Sequence, residues 1–322
     1  MKILGLSFGR KMKVSEILVK AALMAAEKEG AEVSFVRMLD FDIRPCTGCL
    51  GCINSLPRGG DGRCIQKDDL HILEEAFLEA DAIIAACPVY AVGPAGLYKD
   101  LVDRFGPAHD YAFLDVEQKK RIAEGKTGDQ LLDARIFKDR FAGLISVGGA
   151  MTQNWVALGL PNMHLLTFPG NIKVVDQIDA YDQGRKGSPL LDQDLMDRTA
   201  RLGRAVAQAC GKPRDAVEWA GDDGWICPVC HNNLLTVRKT TTVECPVCGI
   251  YGKLSVEGDE VKVTFSEAEQ KRSRCNYDGK LEHCLEIRSF GAIAGPKMVA
   301  HAEELKLKMK PFEGYRELKK AK

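Results

Sequence analysis

The stretch Asp81-Ala-Ile-Ile-Ala-Ala-Cys-Pro-Val-Tyr90 constrains this chain more than any other. An apolar run without polar alternation suits a strand buried on both faces, and therefore a parallel sheet covered by helices on either side. The neighbouring segments agree. Residues 2–7 read as a short strand, residues 14–24 carry apolar side chains at helical spacing until Gly30 stops them, and residues 31–38 read as a second strand. An amphipathic helix over 68–80 precedes the central run, and another over 95–105 follows it. Residues 141–147 and 173–178 supply a fourth and a fifth strand, with a helix expected around 154–160 and a closing helix over 190–210. Five strands alternating with helices predict a three-layer α/β fold with a five-stranded parallel sheet over residues 1–212. The charged segment 107–140 reads as an insertion, a helical arm.

Composition narrows the function classes. With 45 basic and 45 acidic residues the net charge is zero, so no global field draws the chain to nucleic acid or anionic membrane. No apolar run approaches the roughly 18 residues of a membrane span, and the N-terminus runs into a strand without signal-peptide anatomy. Twelve cysteines in 322 residues are too few for a disulfide scaffold and are clustered, which suits metal ligation in a reducing cytoplasm.

The first cluster is Cys46-Thr-Gly-Cys49-Leu-Gly-Cys52, with Cys64 further on. Gly48 and Gly51 sit in its two gaps and allow the positive-φ turns that let successive sulfurs converge. Four thiolates around iron and sulfide is the usual ligation of a cubane cluster. A single zinc ion or unmetallated thiols are the competing readings, although zinc sites more often pair two two-cysteine knuckles. That second pattern occurs near the C-terminus: after an acidic linker, Cys227-Pro-Val-Cys230 and Cys245-Pro-Val-Cys248 place four sulfurs for one tetrahedral ion. Zinc is favoured there over rubredoxin-like iron, as a structural ion without an open position. A hairpin over 256–265 extends this module across 222–270. The extension 271–322 ends in a basic helical tail including Lys319 and Lys320, read as a face packed on a partner subunit. Cys275 and Cys284 lack neighbours in sequence and read as structural, as does Cys87 in the central strand.

Between the first strand and the first helix lie Ser7, Gly9, Arg10 and Ser15, small and hydroxyl residues with one cation at a helix N-terminus. Free N–H groups and the helix dipole there favour an anion such as phosphate, and a plain capped loop is the alternative. No GxGxxG fingerprint is present.

Together these motifs resemble the flavodoxin-like NADPH-dependent FMN reductase family, and more narrowly its iron–sulfur flavoprotein branch. The similarity rests on residues 3–10, on Cys46, Cys49, Cys52 and Cys64 before Lys67-Asp68-Asp69, and on Pro88-Val89-Tyr90 with Gly93, Leu97-Tyr98-Lys99 and Asp103-Arg104. It implies that Ser7, Gly9, Arg10 and Ser15 hold the phosphate of FMN. Pro88, Val89, Tyr90 and Gly93 then line the isoalloxazine, with Gly148 and Gly149 at its other edge. The resemblance also implies a [4Fe-4S] cluster on Cys46, Cys49, Cys52 and Cys64, a reduced nicotinamide as co-substrate, and a dimer or tetramer. The expected protein is an FMN- and cluster-containing oxidoreductase delivering electrons to an acceptor. A non-enzymatic electron carrier or redox sensor, docking a partner through its zinc ribbon, is the alternative, and nucleic-acid binding through the ribbon is weaker.

Overall fold

The computed structural model describes residues 1–317. Residues 1–280 form one compact unit, and a second begins at Leu281. In chain order the first unit runs β1 (Lys2–Ser7), α1 (Val14–Lys28), β2 (Glu32–Arg37), α2 (Gly51–Ser55), α3 (Leu70–Glu79) and β3 (Ala82–Tyr90). There follow β4 (Gly93–Pro94), α4 (Gly96–Phe105), α5 (Tyr111–Ala123), β5 (Phe141–Val147), α6 (Gly159–Met163), β6 (Lys173–Ala180), α7 (Gln183–Lys186) and α8 (Gln193–Ala209).

Five strands pair in parallel in the order β2-β1-β3-β5-β6, and β4 folds back antiparallel on β3. This is the expected flavodoxin-like three-layer arrangement. Alternate residues of β3 enter different cores. Ile83 packs with Leu73, Phe77 and Leu101 of α3 and α4, whereas Ile84 packs with Leu18, Leu23 and Leu202 of α1 and α8. Each such buried aliphatic side chain stabilises the fold by roughly 1.5–3 kcal/mol relative to exposure.

One expectation needs correction. The helix placed at 154–160 is instead a single turn, Gln153–Trp155, followed by α6 four residues later. Pro161 falls in the first turn of α6, where a proline is tolerated. The insertion carries a helix, α5, and packs down on the body of the unit. Leu114 of α5 is fully buried with Leu56 and Leu132, and Arg121 donates to the carbonyls of Leu56 at 3.2 Å and Gly60 at 2.6 Å. The insertion therefore braces the back of the first cysteine loop.

The C-terminal part of the first unit is a four-stranded antiparallel sheet, β7 (Thr236–Val237), β8 (Thr242–Cys245), β9 (Ile250–Glu257) and β10 (Glu260–Thr264), followed by α9 (Glu267–Lys271). The acidic stretch before it is pinned rather than loose: Ala220 donates to the Val175 carbonyl at 2.9 Å, and Arg198 joins Asp222 to the buried Asp176. Helix α10 (Tyr277–Ala300) runs into the second unit, which continues as α11 (Ala302–Met309). Phe290, Ile293 and Val299 are exposed along it. Lys319 and Lys320 lie outside the described residues. No described helix is long and apolar enough to cross a membrane.

Candidate functional site

Strands β1, β3 and β5 end at the same edge of the sheet, and their carboxyl ends carry most of the sequence candidates. Such an edge is where open α/β sheets bind ligands. Beyond β1 the chain turns over the N-terminus of α1. Ser7 and Ser15 are buried, Arg10 is exposed, and Ser7 Oγ accepts from the Gly9 N–H at 3.3 Å. Helix α1 has no side-chain cap, so its first-turn N–H groups are left to an outside acceptor. A Cβ on Gly9 would stand 2.8 Å from Ser15 Cβ and 2.9 Å from Ser15 Oγ. Glycine is thus required for the loop to lie on that serine, leaving a cradle of backbone and hydroxyl donors suited to an anion. Phe8 does not obstruct it. Its ring turns into the core, 4.8 Å from that of Tyr98.

Strand β3 ends in a two-residue hairpin. Tyr90 pairs with Gly93 and Val89 with Pro94, while Ala91 and Val92 take φ of 49° and 73°. A β-branched residue with positive φ is a genuine outlier, and strain of this kind collects at ligand sites. Tyr90 stands 60% exposed, so its own neighbours do not close the site. Cys87, one residue before Pro88, is buried, and burial pushes its thiol up to about 12. It is an inert core residue, as expected.

After β5, Gly148 has a packing reason to be glycine: a Cβ would meet Val156 at 2.2 Å. Gly148 and Gly149 are also tied back, their carbonyls accepting from Gln183 and Gly184. Beside them, Gln183 Oε1 is buried without a hydrogen-bond partner, while Ser146 Oγ and Asp179 Oδ1, buried on neighbouring strands, meet no partner but each other. Burial raises the Asp179 carboxyl above its ordinary value, against hydrogen bonds from Gln153 and Ser146. Unpaired polar atoms at the mouth of a fold call for a ligand or ordered water. Sequence periodicity gave no hint of this trio, since each residue sits in or beside a strand or short helix. Met12, Tyr90, Met151, Trp155, Leu158 and Tyr181 are exposed on the loops after β1, β3, β5 and β6. Their grouping gives the edge an apolar rim.

The first cysteine loop leaves β2. Gly48 takes a left-handed turn as expected, but Gly51 opens α2 and Leu50 makes the second turn instead, at φ 57°. Cys46 and Cys49 are exposed, whereas Cys52 and Cys64 are half-buried. Hydrogen bonds from the Gly51 N–H and the Thr47 hydroxyl pull the Cys49 thiol down. Burial, together with the nearby Cys64 and Cys46, pushes Cys52 up.

The second cluster differs. Cys227, Cys230, Cys245 and Cys248 are fully buried, with all four sulfurs within 4.8 Å of one another. Each knuckle is followed by a left-handed residue, His231 at φ 54° and Gly249 at φ 71°. Among the described residues this is the single group of three or more such ligands gathered so tightly. Cys275, expected to stand apart, lies with its sulfur 3.9 Å from that of Cys248, a proximity across 27 residues that spacing could not reveal. The module docks on the sheet through Gln177, which donates to the carbonyls of Cys230 and His231, and through Trp219 stacked on His231 at 3.8 Å.

The sequence profile of the NADPH-dependent FMN reductases matches residues 1–160. A flavone synthase of Aspergillus candidus is 33% identical over 272 residues, 82% of this chain and 81% of its own length. The chain belongs to the NADPH-dependent FMN reductase family. An iron–sulfur flavoprotein of Methanocaldococcus jannaschii is 35% identical over 108 residues; the match spans 33% of this chain and only 53% of that protein. The solved structure of a flavone reductase superposes on the full length of both chains with a TM-score of 0.82 at 26% identity. As a member of this family the chain is a flavin-dependent oxidoreductase, with an appended four-cysteine metal-binding module shaped like a zinc ribbon.

Proposed function

We propose that the chain binds FMN at the carboxyl edge of its sheet and a [4Fe-4S] cluster on Cys46, Cys49, Cys52 and Cys64, taking reducing equivalents from NADH or NADPH and delivering them to an acceptor. When bound, a flavin accepts a hydride and releases electrons singly or in pairs, and a cluster carries them one at a time. The observation that carries the reading is the cradle of Gly9 against Ser7 and Ser15 beside the strained Ala91–Val92 hairpin. Ser7, Ser15 and the first-turn N–H groups of α1 would hold the phosphate, with Arg10 adding charge. Pro88, Val89, Tyr90 and Gly93 would line one side of the ring, and Gly148 and Gly149 with the buried polar side chains of Ser146, Asp179 and Gln183 would face its polar edge. The apolar rim would exclude water and seat a planar acceptor.

For the loop cysteines the fit favours a cluster over one ion. Zinc–sulfur bonds near 2.3 Å put tetrahedral sulfurs about 3.8 Å apart. The ribbon sulfurs all lie within 4.8 Å of one another, with Cys230 and Cys245 at 3.5 Å, whereas among the described residues the loop sulfurs form no such group. A structural zinc in the ribbon follows by the same reasoning. The names of two relatives favour a flavone-like enone as acceptor, and the exposed face of α10 supports assembly with a second copy. Stopped-flow mixing of anaerobic protein with NADH or NADPH tests the reading: bleaching of bound flavin followed by reoxidation with a flavone or quinone is expected. A flavin that neither nicotinamide reduces would return the chain to the electron-carrier reading.

A further inference from the structure

Arg104 belongs to the helix motif that carries the family resemblance, yet the reading above gives it no role. It sits in the last turn of α4, the helix that follows the β3–β4 hairpin, and both its side chain and that of Asp68 are fully buried. Its Nε donates to Cys64 Sγ at 3.1 Å. Nη1 donates to the Arg44 carbonyl at 2.6 Å and to Asp68 Oδ2 at 2.7 Å, and Nη2 to Asp68 Oδ1 at 3.0 Å. A guanidinium stays protonated in proteins, so Arg104 is a permanent donor aimed at a sulfur. It ties together the residue two before Cys46, the fourth cysteine and the entry to α3.

We propose that Arg104, held by Asp68, is a positioning residue that delivers Cys64 as the fourth ligand of the loop cluster and sets that cluster's reduction potential. The inference rests on the cluster reading given above. Hydrogen bonds to ligating sulfur and local charge are among the levers that tune such centres. One-electron reduction adds a negative charge, which a donor cation 3.1 Å from a ligand sulfur stabilises.

The test uses the full chain, purified anaerobically, as wild type, Arg104→Gln and Arg104→Lys. Iron, acid-labile sulfide and flavin are counted, and the cluster is titrated by electron paramagnetic resonance, with the flavin midpoint as internal control. Arg104→Gln is expected to keep its flavin midpoint and to move the cluster to more negative potential. A tenfold fall in the reduced-to-oxidised ratio at fixed poise corresponds to 59 mV for a one-electron couple. Arg104→Lys should shift in the same direction by less. Should both variants shed iron and sulfide while keeping fold and flavin, Arg104 is needed to hold Cys64 at the centre, which also supports the proposal. Either variant loaded with cluster at the wild-type potential overturns it. A wild-type chain carrying flavin but no sulfide instead removes the cluster reading, a result distinguishable from an unshifted potential.

Discussion

The two cysteine centres of the first unit are built on opposite principles. The ribbon gathers four fully buried sulfurs within 4.8 Å, each knuckle locked by a left-handed residue and the module bolted to the sheet through Gln177. The loop leaves Cys46 and Cys49 exposed and Cys52 and Cys64 half-covered, organised by a buried guanidinium rather than by a core of its own. A closed site with no open position suits a structural ion. An exposed site beside a ligand-binding edge suits traffic of electrons to a partner or substrate. On the proposed function, one chain would use the same side chain for architecture in one place and for chemistry in another, with burial separating the two.

The largest effect that sharpens this contrast is expected from Cys245→Ser. Structural zinc contributes on the order of 10–16 kcal/mol of folding free energy in finger peptides. The variant should lose its ribbon metal and be cleaved by protease between residues 225 and 275. Cys49→Ser, at an exposed position, should leave the melting temperature within about 4 °C of wild type. Equal destabilisation by the two changes would erase the distinction drawn between the centres.

A smaller effect concerns the clamp behind the cradle. Buried Glu16 of α1 is hydrogen-bonded by Arg37, the last residue of β2, and by Lys20. The Arg37 bond, acting against burial, holds the Glu16 carboxyl down at about 2. A carboxylate whose folded value lies below its unfolded 4.5 stabilises the fold fully above that pH and progressively less as the pH falls toward 2. Glu16→Gln should therefore lower stability by about 1.5–3 kcal/mol at neutral pH. The gap between variant and wild type in denaturant titrations should close between pH 4.5 and 2. A gap that persists at pH 2 would show that the ion pair does not provide it.

Next comes Gly9→Ala, which pushes a methyl group onto Ser15. Flavin affinity is expected to fall about tenfold, or 1.4 kcal/mol, by fluorescence titration, with zinc content unchanged. Unaltered affinity would detach the cradle from the flavin. Smallest is Val92→Gly. Relieving the left-handed valine should stabilise the fold by about 1 kcal/mol in chemical denaturation, and a loss of stability would show that its side chain is needed more than its strain is felt.

Much of this architecture was legible in the sequence because it is written locally. The apolar run of β3, the periodicity of α1 and α8 and the paired Cys-Pro-Val-Cys knuckles each carry their signal within a few residues. What escaped depends on distant parts of the chain meeting. Arg104 finds Asp68 across 36 residues and Cys64 across 40, and Cys275 finds Cys248 across 27. Arg121 braces the cysteine loop through carbonyls, which offer no side-chain pattern to read. The buried polar trio of Ser146, Asp179 and Gln183 is likewise visible only once β5 and β6 lie side by side.

On the proposed function, burial assigns different inorganic partners to the two sets of cysteines, with a flavin beside the exposed one. Iron, sulfide, zinc and FMN counted in anaerobically purified wild type, Cys49→Ser and Cys245→Ser decide this. Wild type should hold about four irons and four sulfides, lost in Cys49→Ser, and about one zinc, lost in Cys245→Ser. A wild-type chain without flavin, or iron that stays in Cys49→Ser and departs with Cys245→Ser, would contradict it.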